Sequence, residues 1–164
     1  MQNKHRLPNL IYLFLLIFFA GILNPAGSSA DDSLLSAGQT VYVPIYSHIY
    51  SGIKARPFDL AATLSIRNIN LNSSIKLVSV KYYDSEGKLV KDYLDAPISL
   101  KALASTRYII TEDDRAGGSG ANFIVVWRSG QEVNAPVIEG VMIGTHSGQG
   151  ISFVSRGQVI KDDR

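Results

Sequence analysis

Residues 41–50 read Val41-Tyr42-Val43-Pro44-Ile45-Tyr46-Ser47-His48-Ile49-Tyr50, and their alternation decides the fold class. Side chains of an extended chain point to opposite faces with a period of two. Val41, Val43, Ile45 and Ile49 share one face. Tyr42, Tyr46, His48 and Tyr50 share the other. Such a density of β-branched and aromatic residues suits a half-buried pleated surface. Pro44 has no N–H to give to a ladder, so the run predicts an edge strand or a strand with a bulge.

Downstream the same grammar repeats. In Phe58–Ile69, Leu60, Ala62, Leu64 and Ile66 alternate with Ala61, Thr63, Ser65 and Arg67. Ile75–Tyr83 is a third strand. It is followed by Asp84-Ser85-Glu86-Gly87, whose leading Asp and closing Gly predict a type I turn completed by a left-handed residue, then by a returning strand over 88–93. Residues 96–104 read as a connector, and 106–111 as a short strand. Phe123–Arg128 is apolar on both faces, which marks a central strand. Val137–Thr145 carries Gly140 and Gly144 on the face of Ile138 and Met142, where another element can approach closely. Ile151–Val154 is the last clear strand, and 158–164 reads as a charged tail. No amphipathic helix stands out after Ala30. Seven or eight short strands with turn signals between them predict an all-β fold, a single antiparallel sandwich of Ig-like type, with a small β-barrel as the alternative.

Upstream of the strands lies a different kind of segment. Lys4 and Arg6 precede a 14-residue apolar run, Leu10–Leu23, then Asn24-Pro25 and the small-residue stretch Ala26–Ala30. That is the anatomy of a secretory signal peptide, with cleavage expected before Asp31. A spanning helix needs about 20 apolar residues, so a retained membrane anchor is the second reading. The expected organisation is a signal peptide at 1–30, a flexible segment at 31–40, a β domain at 41–157 and a tail at 158–164. Export places the protein in the periplasm or outside the cell.

Composition narrows the function. The 164 residues carry 16 Lys+Arg, 14 Asp+Glu and no Cys. Two of the cations lie in the leader, so residues 31–164 balance at 14 of each sign and have no charge reason to seek nucleic acid. Membrane contact is expected only through an uncleaved leader. A chain without thiols has no disulfide framework, Cys-based zinc site or thiol nucleophile.

Several blocks carry a family resemblance: VYVPIYSHIYSG (41–52), LAATLSIRN (60–68), VKYYDSEGKLV (80–90), GGSGANFIVVW (117–127) and GVMIGTHSGQGISFVSRG (140–157). Together they are similar to the bacterial domain-of-unknown-function 3124 family. The resemblance covers nearly all of the chain after the leader. It implies a small exported bacterial domain without an assigned activity, and it supplies no catalytic residues. The layout of strands around the 80–90 hairpin and a following Gly loop also resembles the small β-sandwich transducer of microbial sensory rhodopsins, in architecture only.

Candidate contacts come from three places. The loop Asp113–Asn122 is Gly-rich, and its backbone can form an anion-binding nest. It lacks the Lys-Ser/Thr of a P-loop, opens no helix, and has Ala121 where a nucleophile elbow needs Gly. Gly117, Gly118, Ser119 and Asn122 are its candidate contact residues. The stripe Tyr42, Tyr46, Tyr50 offers rings that could stack on a sugar or meet a partner strand. His146 opens the second Gly loop, 145–150. An enzyme built on His146 and Asp113 is the minor alternative, since no spacing requires a Ser-His-Asp or metal arrangement. No catalytic residue, metal site or cofactor is expected. The main expectation is a binding or interaction module for a protein or glycan partner. A homo-oligomer formed by two-fold pairing of the Pro44 edge strand is the structural alternative.

Overall fold

Phe123, Val125 and Trp127 alternate with Ile124 and Val126, and the strand they form lies in the middle of the larger sheet. The three inward side chains are completely buried. The computed structural model describes residues 35–146 and 148–163. The leader and its cleavage site lie outside the described residues.

Twelve strands follow in order: β1 (Leu35–Pro44), β2 (His48–Ser51), β3 (Arg56–Asp59), β4 (Ala61–Arg67), β5 (Ile75–Tyr83), β6 (Leu89–Asp92), β7 (Ile98–Leu100), β8 (Ser105–Ile110), β9 (Asn122–Asn134), β10 (Val137–His146), β11 (Gln149–Arg156) and β12 (Gln158–Asp162). There is no helix among the described residues. All pairings are antiparallel. One sheet runs β12-β1-β9-β5-β6, with β7 also on β5; the second runs β11-β10-β4-β8; β2 and β3 form a separate hairpin. Neither large sheet closes on itself, so the small-barrel alternative is corrected.

The two large sheets share one apolar core. Val41, Val43, Leu77, Val80, Phe123 and Trp127 come from the first, and Leu64, Ile66, Ile138 and Met142 from the second. Each large side chain buried here contributes about 1.5–3 kcal/mol through the area it removes from water. Gly140 is where the sheets approach. A Cβ there would stand 2.5 Å from Ile45 Cδ1. A Cβ on Gly144 would stand 2.5 Å from the Asp59 carbonyl. Both glycines do what their position on the Met142 face predicts.

The Asp84 turn also follows its sequence. Asp84 Oδ1 accepts from the Glu86 and Lys88 amides at 3.0 and 2.8 Å. Gly87 N–H donates to the Asp84 carbonyl at 3.1 Å, with Gly87 at φ +80°.

Four expectations are corrected. First, β1 begins at Leu35, and residues assigned to a flexible 31–40 segment pair with β9 and β12. Second, 158–162 of the expected tail is β12, held against β1 from Gln39↔Asp162 to Tyr42↔Gln158. Third, the connector at 96–104 contains β7. Fourth, the Pro44 strand is not an edge, because β1 lies between β12 and β9. Pro44 is tolerated because the β12 ladder has already ended at Tyr42. The register shift opposite Thr40 and Val41 skips Ile160 of β12, so it is an irregularity of β12 and not the bulge expected at Pro44. A homo-oligomer formed through that strand is therefore corrected too, since both of its sides are occupied.

Candidate functional site

After Pro44 the chain leaves the sheet, and this step builds one end of the fold. Ile45 N–H donates to the Ala121 carbonyl at 2.9 Å, and Ser47 N–H to the Gly118 carbonyl at 3.1 Å. Leu60 N–H then donates to the Ser47 carbonyl at 2.9 Å. Ile45, Ser47 and Leu60 are fully buried. The link 45–47 is thus stitched between the Gly loop and the start of β4, and the β2–β3 hairpin projects from it.

The Gly loop rests on the β5–β6 turn. Ser85 N–H and Ser85 Oγ both donate to the Gly117 carbonyl at 2.9 Å. Gly120 N–H donates to Ser85 Oγ at 2.9 Å. Gly118 takes φ +75°, which L side chains rarely adopt. A Cβ on Gly117 would lie 1.8 Å from Tyr82 Oη. These glycines therefore serve close approach to Tyr82 and Ser85. Their backbone is engaged with the fold rather than arranged around an open nest.

The three tyrosines do not form one stripe. Tyr42 is half-buried on the outer face of the first sheet, between Ile124 and Gln158 in register. Tyr46 lies in the link and packs edge-on against Phe153 of β11, with centroids 5.7 Å apart. Tyr50 stands on β2 and is 61% exposed. Its hydroxyl is 3.2 Å from His48 Nε2. The alternation through 41–50 is real, but the chain turns after Pro44 and each ring ends on a different element.

The other candidates gather at the same end. Asn122 opens β9 opposite Pro44 and Tyr83. Ser119 is half-buried in the Gly loop. The His146 backbone closes β10 opposite Gln149; its side chain, like all of Ser147, lies outside the described residues. Two positions up the same strand, Gly144 packs on Phe58 and Asp59. Tyr46, Tyr50, Gly117, Gly118, Ser119, Asn122 and the His146 backbone thus come to one end, while Tyr42 remains on the sheet face.

The sequence reading missed the parts that hold this end together. Arg115 of the Gly loop pairs with Asp59 of β3 and fastens the hairpin to the loop. Asp59, Glu112, Asp113 and Arg115 line an open cleft of about 590 Å³. Three carboxylates against one guanidinium leave the cleft negative. A side-chain hydrogen bond from Thr111 holds the fully exposed Asp113 carboxyl below its ordinary range. It is an acceptor at neutral pH and a poor proton donor. Among the described residues, no group of three His, Asp or Glu is placed to hold a metal ion. Tyr82 Oη is 3.3 Å from Ser47 Oγ, and burial raises the Tyr82 phenol above its ordinary value of 10.0. The hairpin tip also escaped notice: Ile53 is fully exposed and is followed by Lys54 and Arg56.

The family model described as "Protein of unknown function (DUF3124)" matches residues 38–160. The chain belongs to that family. The match spans β1 to β12 and includes every element of this end, so the link, hairpin and Gly loop are parts of the family domain. Among solved structures, the chain is similar to one titled "Crystal Structure of Thermotoga maritima 1070", at 10% identity and a TM-score of 0.44, covering 73% of this chain and 92% of that one. No curated protein matches the chain.

Proposed function

We propose that this family member is an exported interaction module, an Ig-like sandwich that meets a protein or glycan in the periplasm or cell envelope. The leader composition at 1–30 supports export. The two facing antiparallel sheets support the sandwich.

One observation carries the contact surface. The β2–β3 hairpin presents Tyr50 at 61% exposure and Ile53 fully exposed, on a base fixed by the Arg115–Asp59 pair and by Phe58 against Gly144. Large apolar side chains displayed on an anchored projection suit a partner that covers them. An amphipathic ring such as Tyr50 suits that role because it has an apolar body and a polar tip. Preorganisation lowers the entropy lost on binding.

The test is a pull-down with the tagged protein from the envelope of its own organism, in parallel with a Tyr50→Ala/Ile53→Asp variant of unchanged far-UV circular dichroism. A specific protein or glycan retained by the wild type and lost by the variant is the expected result. Equal retention by both removes the hairpin as the contact.

A further inference from the structure

Strand edges carry unpaired N–H and C=O groups, and proteins usually guard them. The two large sheets end at five edge strands: β12, then β6 and β7 side by side on β5, and β11 and β8. Four are guarded. β7 spans only Ile98–Leu100. β6 is four residues long, includes Lys91, and slips register opposite Tyr82 and Tyr83. β12 slips register opposite Thr40 and Val41 and carries Lys161 and Asp162. β11 is tied to the other sheet, with Ser155 Oγ donating to the Pro44 carbonyl and Phe153 under Tyr46.

β8 carries one charged side chain, Arg107, and no other such device. Ser105–Ile110 contains no Pro, Gly or Lys, and its register with β4 is unbroken from Arg67↔Ser105 to Ala62↔Ile110. Among the described residues, its backbone makes no backbone hydrogen bond outside that ladder. An apolar row also runs to this edge on the outer face. Val154, Val141, Thr63 and Ile109 are neighbours in register across the whole sheet. Val154 and Ile109 are each 54% exposed.

We infer that β8 pairs with β8 of a second copy of this chain, joining two four-stranded sheets across a two-fold axis. The strand is self-complementary in one register. Antiparallel pairing that keeps outer face with outer face requires the axis to pass at a residue. An axis at Arg107 sets two guanidinium groups against each other. An axis at Ile109 pairs only residues 108–110 of the strand. An axis at Tyr108 pairs residues 106–110, opposes no like charges, and lays Ile109 along the aliphatic stem of Arg107 from the second copy. The apolar row then continues from one copy into the other. The equal numbers of Lys+Arg and Asp+Glu over residues 31–164 leave little net repulsion between copies. A ladder this short buries less than the ~1,200 Å² of a stable interface, so dissociation falls at roughly 10–500 µM.

The experiment is sedimentation equilibrium on the protein recovered as cells make it, with its N-terminus read by intact mass. Wild type should pass from monomer to dimer across that range. Ile109→Lys should remain monomeric, and Val154→Lys, on the opposite strand edge, should dimerise as wild type does. The absence of native cysteine makes a register test clean. An equimolar mixture of Arg107→Cys and Ile109→Cys chains should form disulfide dimers several-fold faster than Ile109→Cys alone. A wild type that stays monomeric to 1 mM, an Ile109→Lys variant that dimerises normally, or faster cross-linking of Ile109→Cys alone would each overturn the proposal. So would a monomer whose β8 edge captures an extended peptide instead.

Discussion

Tyr82 lies directly beneath Gly117: a Cβ on the glycine would stand 1.8 Å from the phenolic oxygen and 2.6 Å from Cζ. The ring also stacks on Phe123, with centroids 5.1 Å apart. One buried tyrosine thus seats the Gly loop on the central strand and sets the height of the proposed contact end.

Gly117→Ala should destabilise the domain by about 1–3 kcal/mol, because the added methyl has no room without displacing the loop. Removing the hydroxyl relieves part of that clash. In a double-mutant cycle, Gly117→Ala on a Tyr82→Phe background should cost less than on wild type, with coupling of about 0.5 kcal/mol or more. Urea titrations of the four proteins read this. Strict additivity would mean the loop does not rest on Tyr82.

Alkaline pH should unfold the protein through its tyrosines. Burial raises the phenols of Tyr82, Tyr93 and Tyr108 above their ordinary value of 10.0, with the Asp114 charge adding to the first two. A folded-state pKa above the unfolded one contributes stability that is fully present below the unfolded value. That stability is lost as pH rises through the folded one. Stability should therefore hold through neutrality and fall above about pH 10. Tyrosinate absorbance and denaturant midpoint, followed together, check this. Tyr82→Phe should flatten the fall.

At the opposite end, Asn68 ties its own loop, 68–74, to the end of β7. Its Nδ2 donates to the carbonyls of Ser73, Leu100 and Lys101, and its Oδ1 accepts from the Asn70 amide and Nδ2. It is 2% exposed. Asn68→Ala leaves these groups buried without partners and should cost about 2–4 kcal/mol, several degrees in Tm. A change under 0.5 kcal/mol would contradict the network.

Leu103 holds φ +58° at the third position of a turn closed by Ala104 N–H to the Lys101 carbonyl at 3.1 Å. That position favours Gly. Leu103→Gly relieves about 1–2 kcal/mol of strain and adds about 0.4–1 kcal/mol of unfolded-state entropy. A net gain of about 0.5 kcal/mol is expected in denaturant titrations, with no gain from Leu103→Ala.

The strands with clean alternation and strong turn residues were legible: β5 with its Asp84–Gly87 turn, the centre of β9, and β10 with its two packing glycines. The break after Pro44 was not, because the alternation continues through it. What turns the chain is non-local, namely the carbonyls of Ala121 and Gly118, more than 70 residues away in sequence. β12 was hidden because an exposed strand with adjacent Val159 and Ile160 among polar residues has no alternation of its own and exists only by pairing with β1. At the candidate site, the Gly loop and Tyr50 were visible as composition. The residues that position them, Ser47, Tyr82, Ser85 and the Asp59–Arg115 pair, are ordinary in sequence and gain meaning only when folding brings them together.

The central claim is that the hairpin end meets a partner in the envelope. The most direct measurement is site-specific photocrosslinking in the native organism, with the reactive side chain at Ile53 and, in a parallel strain, at Leu71. Leu71 is 74% exposed and precedes β5 on a loop at the far end of the fold. The account predicts a discrete adduct from position 53 that position 71 does not give. No adduct from 53, or the same adducts from both, would contradict it.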